Sequence, residues 1–383
     1  MKRAAYDAEH EAFRSTIRSF VADEVSPYKS QWDEAGFVPK ELYRKLASLG
    51  AMGFDIPEEY GGTGPASFRY QAIISEEAAR AGILLAGYSV SVGIVLPYLL
   101  HLATEQQAKR WLPGCASGDT LLGIAMTEPG TGSDLAGIRT AARRAGDHYV
   151  LNGSKTFITT GSQADLVVVV ARTSPAGDGD RRSGLSLLVV DHASEGFAVG
   201  RRLAKIGQKS ADTCELSFSD VRVPVDNLLG EEGEAFRHLA QNLPRERLSI
   251  AVDACSFAAA AIETTLDYVS QRTIYGKPVA SFQNNKFVLA ECRAELTAAQ
   301  SMVDRAMDLE DLGELSAADA AECKLFCTET AGRIIDRCLQ LHGGYGYMLE
   351  YPIAHLYADA RVMRIYGGTS EVQKTIIAKS MGL

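Results

Sequence analysis

The sequence predicts an α+β multi-domain fold in three parts: an N-terminal α-helical domain over residues 1–122, a middle antiparallel β domain over 123–230 and a C-terminal α-helical bundle over 231–383. Three observations predict it. Apolar residues recur at three- and four-residue spacing up to about Ala125, and again beyond Gly230. Between these stretches the spacing changes to alternation. At 383 residues, the chain is also too long for one simple core.

The elements follow in order. Phe13, Ile17, Phe20 and Val21 form one helical stripe, and Leu42, Leu46 and Leu49 another. Pro57 to Pro65, with three glycines, breaks the helical run. Glu76, Glu77 and Arg80 lie on a further helix. Ala81 to Leu100 carries no charge and is about the length of a membrane span. Its three glycines, proline, serines and two tyrosines favour a helix buried inside the protein. Strands are predicted at Tyr149-Val150-Leu151, Leu166 to Ala171, Leu185 to Val190 and Cys214 to Phe218, with a hairpin turn at Asn152-Gly153. Residues 174–183 read as an exposed loop. In the last part, Ile262, Leu266 and Val269 mark one helix face. Ala317, Ala320 and Ala321 mark another whose small residues permit close packing.

Composition narrows the function. A net charge of −9 argues against nucleic acid as a partner. The opening Met1 to Asp7 lacks the apolar core of a secretory signal. The seven cysteines are odd in number and scattered, as expected of reduced thiols in a cytoplasmic protein. Cys323 and Cys327 sit one helical turn apart with no histidine pair beside them, so core packing is expected there rather than metal.

One loop stands out: Ala125-Met126-Thr127-Glu128-Pro129-Gly130-Thr131-Gly132-Ser133-Asp134. Pro129 fixes its own φ, and Gly130 and Gly132 let a ligand approach the main chain. Short hydroxyls stand beside free N–H groups, as in loops that hold a polar ring or a phosphate. Taken alone, the loop fits either such a cradle or an ordinary surface turn.

Three further segments accompany it: Gln271 to Pro278 followed by Phe282-Gln283, Gln340 to Tyr347 ending at Glu350-Tyr351-Pro352, and Arg361 through Tyr366-Gly367-Gly368-Thr369-Ser370-Glu371. In this order and spacing the four segments resemble the signature segments of the acyl-CoA dehydrogenases, and the resemblance extends over nearly the whole chain. It implies bound FAD, α,β-dehydrogenation of an acyl thioester and electron transfer to an electron-transfer flavoprotein. It also implies a homotetramer with FAD at a subunit interface; no membrane partner is expected, since the uncharged Ala81–Leu100 stretch reads as a buried helix.

The resemblance also implies roles. Met126, Thr127 and Ser133 would meet the flavin edge, and Phe157, Ile158 and Thr159 its face. Arg272, Gln283, Gln340, Gly343 and Gly344 would meet FAD, Arg272 and Gln283 reaching that of a neighbouring subunit. Thr369 and Glu371 would lie near the adenosine half. Pro244, Arg247, Tyr366 and Gly367 would line the substrate, and Ser133 would touch the CoA arm. An arginine suits a pyrophosphate because its fork donates two parallel hydrogen bonds.

The reaction needs a general base for the proton α to the thioester. Many members place a glutamate where this chain has Gly367. Here the base expected by resemblance is Glu246, in Leu243-Pro244-Arg245-Glu246-Arg247-Leu248, as in the long-chain and isovaleryl-type dehydrogenases. Pro244 suits the first turn of a helix, so this segment is expected to open the long helix that follows. The alternative for Glu246 is an ion pair at a helix start, and Glu371 is the rival base. Other functional readings are a dehydrogenase of a carrier-protein-bound acyl chain, an acyl-CoA oxidase and a non-catalytic flavin-binding relative.

Overall fold

Helices enclose a sheet in the α, β, α order that the periodicities predict. The computed structural model describes residues 3–177 and 180–383; Met1, Lys2 and two residues of the predicted loop, Asp178 and Gly179, lie outside them. The first part holds α1 (Ala8–Glu24), α2 (Lys29–Ala35), α3 (Lys40–Ser48), α4 (Phe68–Arg80), α5 (Ala86–Tyr88), α6 (Leu96–Leu102) and α7 (Glu105–Ser117). Asp7 caps α1 by accepting from the Glu9 and His10 N–H groups, and Ile17 and Val21 are buried as the stripe requires. Glu77 of α4 is buried and accepts from Arg18 Nε at 2.9 Å, tying α4 to α1.

The uncharged Ala81–Leu100 stretch is buried, but it is not a uniform helix. Between α5 and α6, residues Ser89–Val95 are wound as a π-helix. Ser91 Oγ accepts from Leu122 N at 3.0 Å, and a Cβ on Gly93 would strike Gln71 and approach Ser249 Oγ. This segment therefore wedges between the sheet and the C-terminal helices. Such wide turns recur at functional sites.

The sheet contains β1 (Leu122–Ala125), β2 (Ala141–Ala145), β3 (His148–Ile158), β4 (Leu166–Arg172), β5 (Leu185–Asp191), β6 (Phe197–Arg202), β7 (Cys214–Pro224) and β8 (Leu228–Leu229). Strand order is β6-β7-β3-β2-β4-β5-β8, with β1 paired to β4. The ladders are antiparallel except β1 with β4 and one residue pair of β2 with β4. The helical pattern expected up to Ala125 in fact stops at Ser117, where Gly118 adopts φ +73°, and β1 follows. Four apolar residues are too few for period alone to separate strand from helix.

The hairpin predicted at Asn152-Gly153 is not there: both residues lie inside β3. Gly153 has φ +150°, and a Cβ on it would collide with Thr140, so this glycine serves a close approach rather than a turn. The pairing of β3 with β7 shifts register at this point.

The C-terminal part holds α8 (Ala235–Gln271), the ribbon β9 (Thr273–Ile274) and β10 (Lys277–Pro278), then α9 (Gln283–Asp311), α10 (Ala317–Leu341), α11 (Pro352–Ala360) and α12 (Ser370–Ser380). The long helix opens at Ala235, not at Pro244, which lies inside it. An internal proline removes one helical hydrogen bond and costs about 3 kcal/mol. Burial along both flanks outweighs that cost. α8 is long and apolar enough to cross a membrane, but 83% of its most apolar window is buried in the protein, so it is the core helix. α10 packs on it, with Cys323, Cys327 and Ala331 in the same apolar core as the α8 side chains. All seven cysteines are free and buried.

Candidate active site

The loop after β1 is shaped by two residues that the sequence reading passed over. Glu128 is buried and accepts from the main-chain N–H groups of Arg139 and Thr140, both at 2.8 Å, and from Lys155 Nζ at 2.9 Å. Lys155 also donates to the Met126 carbonyl at 2.9 Å. Burial opposes the Glu128 charge, but its donors outweigh burial and hold the carboxyl below its usual range. Burial lowers Lys155 to about 8, with Glu128 resisting the shift, so the pair is ionic at neutral pH. One strand over, Thr156 N donates to the Thr127 carbonyl at 2.9 Å. Met126 and Thr127 thus stand beside Phe157, Ile158 and Thr159.

Phe157 has φ +60° and is 67% exposed. A bulky residue in that backbone region is strained, and such strain clusters at ligand sites. Among the described residues, the N–H groups of Thr127 and Ser133 donate to no protein acceptor. An uncovered aromatic side chain beside free donors fits a planar polar ring.

Glu246 sits three turns into α8 and is only 6% exposed. Its Oε2 is buried and has no hydrogen-bond partner. Burial raises its carboxyl above the usual range, with Arg247 and Lys324 opposing the shift. The neighbouring α8 side chain Arg247 and Tyr98 of α6 are also buried, and each leaves a polar atom unpartnered. Tyr366 adds a buried hydroxyl without a partner.

Gly367 faces this cluster. A Cβ there would lie 3.4 Å from Glu246 Oε1 and would overlap Ile250 Cδ1. Its φ is +62° and that of Gly368 is +89°, a turn suited to glycine. Two buried side chains hold the turn by its carbonyls. Gln373 Nε2 donates to Gly367 O at 3.1 Å and to Gly368 O at 2.8 Å, and Lys324 Nζ donates to Gly368 O at 2.7 Å. The Gly367 N–H meets no protein acceptor among the described residues.

A second feature lies at the far end of α8. Arg272, Gln340, Gly343 and Gly344 line a groove of about 600 Å³ with Tyr268 and Tyr345. A Cβ on Gly343 or Gly344 would meet nothing within 4 Å. The Arg272 guanidinium lies over the Tyr345 ring, 5.4 Å from its centroid, and makes no ion pair among the described residues. Gln283 begins α9 and is exposed.

The family models match in series. The acyl-CoA dehydrogenase N-terminal domain matches residues 7–119, the middle domain 123–221 and the C-terminal domain 233–382. The chain belongs to the acyl-CoA dehydrogenase family. It is an oxidoreductase that acts on acyl-CoA. It is 42% identical over 382 residues to the long-chain specific acyl-CoA dehydrogenase, mitochondrial, of Rattus norvegicus, covering 99% of this chain and 88% of that one. An acyl-CoA dehydrogenase structure from Geobacillus kaustophilus superposes with a TM-score of 0.97 at 42% identity, covering all of both chains. An acyl-CoA dehydrogenase from Bacillus anthracis, complexed with FAD, superposes with a TM-score of 0.93 at 32% identity over all of this chain and 68% of that one.

In this acyl-CoA dehydrogenase family member, the residues predicted from the sequence fall into four places. The loop and the end of β3 form one wall. Glu246, Arg247, Tyr366 and Gly367 form the buried cluster, with Pro244 buried half a turn before Glu246. Arg272, Gln340, Gly343 and Gly344 share the distant groove. Thr369 caps α12 by accepting from Val372 N at 3.3 Å, and Glu371 is exposed in the first turn. The Glu371 main-chain N–H, and then the Thr369 hydroxyl, hold that carboxyl below its usual range.

Proposed function

We propose that the chain removes the α proton of a fatty acyl-CoA with Glu246, forms the 2,3-enoyl thioester and passes the electrons to an electron-transfer flavoprotein. The observation that carries this reading is the buried, unpartnered Glu246 carboxylate opposite an unoccupied main-chain donor, Gly367 N–H. FAD is the cofactor and, when bound, accepts the hydride from the β carbon. Its ring would be held by Met126, Thr127 and Ser133 along the edge and by Phe157, Ile158 and Thr159 at the face. Thr369 and Glu371 would attend the adenosine half.

The remaining chemistry belongs to the chain. Gly367 N–H donates to the thioester carbonyl as negative charge develops there, worth roughly 3 kcal/mol for one preorganised donor. Glu246 receives the proton. A carboxylate already raised by burial is a stronger base than an exposed one. Tyr366 and Arg247 flank the acyl group, and Ser133 stands at the edge of the loop for the CoA arm. Glu371 lacks this environment, since it faces water.

Arg272 supports a shared site. It is separated from Glu246 by the whole of α8 beyond that residue, about 38 Å at 1.5 Å per residue. One dinucleotide cannot place its ring at Glu246 and its pyrophosphate at the same chain's Arg272. In this reading the groove of Arg272, Gln340, Gly343 and Gly344 serves the FAD of a neighbouring copy, with Gln283 reaching the same FAD, in the homotetramer that the family resemblance implies.

The test is anaerobic mixing of the purified flavoprotein with a panel of straight and branched acyl-CoA thioesters. We expect the visible flavin band to bleach with at least one of them, and electron-transfer flavoprotein to restore it. A band that stays oxidised with every thioester would overturn the reading.

A further inference from the structure

Lys324 of α10 is 1% exposed and faces Glu246 and Arg247 of α8. The resemblance assigned it no role. A lysine is almost never fully buried unless something holds it. Its ammonium donates to the Gly368 carbonyl at 2.7 Å. A Cβ on Gly367 would lie 3.4 Å from Lys324 Cε and the same distance from Glu246 Oε1. The lysine stem and the carboxylate oxygen are therefore no more than twice that distance apart, on two sides of one glycine. No ion pair closes between them: Lys324 spends its hydrogen bond on the turn, and Glu246 Oε2 is left unpartnered.

We propose that Lys324 is a positioning residue for the proton-abstraction step, a buried cation that fixes the Gly367-Gly368 turn and keeps the facing Glu246 ionised. The proposal rests on Glu246 being the base. Two facts separate the two jobs. The turn has a second clamp, Gln373, which bonds both carbonyls and is fully buried, so the clamp alone does not require a charge at 324. The charge faces a carboxyl whose burial pushes its pKa up. The titratable and charged groups around Glu246 are Arg247 on its own helix, Lys324 of α10, Tyr98 of α6 and Tyr366 beside Gly367. Lys324 in turn faces Glu246, Arg247 and Glu329. Arg247 also opposes the upward shift of Glu246, so removing Lys324 lowers the ionised fraction of Glu246 at a given pH rather than abolishing it. An opposite charge at this range moves a carboxyl by about one pH unit or more.

Three substitutions distinguish these contributions. Lys324→Gln keeps a donor for Gly368 and removes the charge. Lys324→Arg keeps the charge. Lys324→Met removes both. With FAD bound, we expect the acidic limb of the kcat–pH profile to move up by about one unit in K324Q, to stay near the wild-type position in K324R, and to move similarly in K324M with a lower plateau. Infrared difference spectra of wild type against Glu246→Gln read the Glu246 titration without turnover, and K324Q should move it the same way. A K324Q limb and infrared titration that both coincide with wild type would overturn the proposal. Where K324Q is poorly folded, its thermal midpoint is compared in the Glu246 and Glu246→Gln backgrounds. The charge coupling predicts a smaller loss in the second, and an equal loss overturns it. If Glu246→Gln itself turns over normally, the base assignment fails, a result distinct from failure of the lysine.

Discussion

At the residue scale, the exchange of a side chain at 367 for a carboxylate at 246 has a geometric basis. The missing Cβ is the space in which Glu246 Oε1 and Ile250 meet the turn. Gly367→Ala introduces a methyl into that space at φ +62°, where a Cβ costs roughly 1–2 kcal/mol. We expect kcat to fall at least about tenfold and the denaturation midpoint to drop, measured with acyl-CoA turnover and chemical unfolding. Normal turnover would show that the glycine is incidental. The sequence showed Glu246 and Gly367 through resemblance alone. Lys324 was legible in another way: with Ala320, Cys327 and Ala331 it completes a turn-by-turn stripe on α10, and a lysine inside an apolar stripe marks a buried charge.

At the element scale, two supports deserve separate tests. The first is the loop after β1, whose ends are held by the buried Glu128–Lys155 pair at 2.9 Å. Lys155→Met leaves the carboxylate buried with one donor fewer, a change that typically costs about 3–5 kcal/mol. We expect that loss in chemical unfolding, with less FAD retained on purification. The double variant Glu128→Gln, Lys155→Met should recover part of the stability. The second support is α8, where Asp253 is fully enclosed and burial raises its carboxyl to about 7, against Ser75. The folded state therefore binds a proton that the unfolded chain releases near pH 4. Stability from this group is full below about pH 4, and falls as pH rises to about 7. Asp253→Asn should flatten that slope and stabilise the protein at pH 8, by at most about 4 kcal/mol. An unchanged slope would remove Asp253 as its cause. Element boundaries were the least legible level. Pro244 suggested a helix start because proline suits a first turn, yet core packing carried α8 through it. Asn152-Gly153 suggested a turn because that pair favours φ > 0, yet Gly153 was needed for its closeness to Thr140.

At the scale of the whole molecule, the α, β, α order was legible because periods of 3.6 and 2 persist over long stretches. What sequence could not give was which surfaces meet. The π-wound Ser89–Val95 segment packs against both β1 and α8, far apart in the chain, and nothing local encodes its winding. The groove at Arg272 lies far along α8 from Glu246, and the proposed function assigns it to the site of a second copy. Glu246→Gln and Arg272→Ala should each be impaired alone, yet a mixed assembly should regain activity. Random mixing leaves about a quarter of sites with both residues, one from each copy. No recovery above the separate variants would place Arg272 outside the partner's site. The most direct test of the account is solvent deuterium entering the α carbon of bound acyl-CoA under anaerobic conditions, followed with the flavin band. Glu246→Gln should bind FAD, exchange no α proton and leave the flavin oxidised, while Glu371→Gln, once loaded with FAD, still exchanges the proton and bleaches the flavin. The reverse pattern, exchange in Glu246→Gln and none in Glu371→Gln, would contradict it.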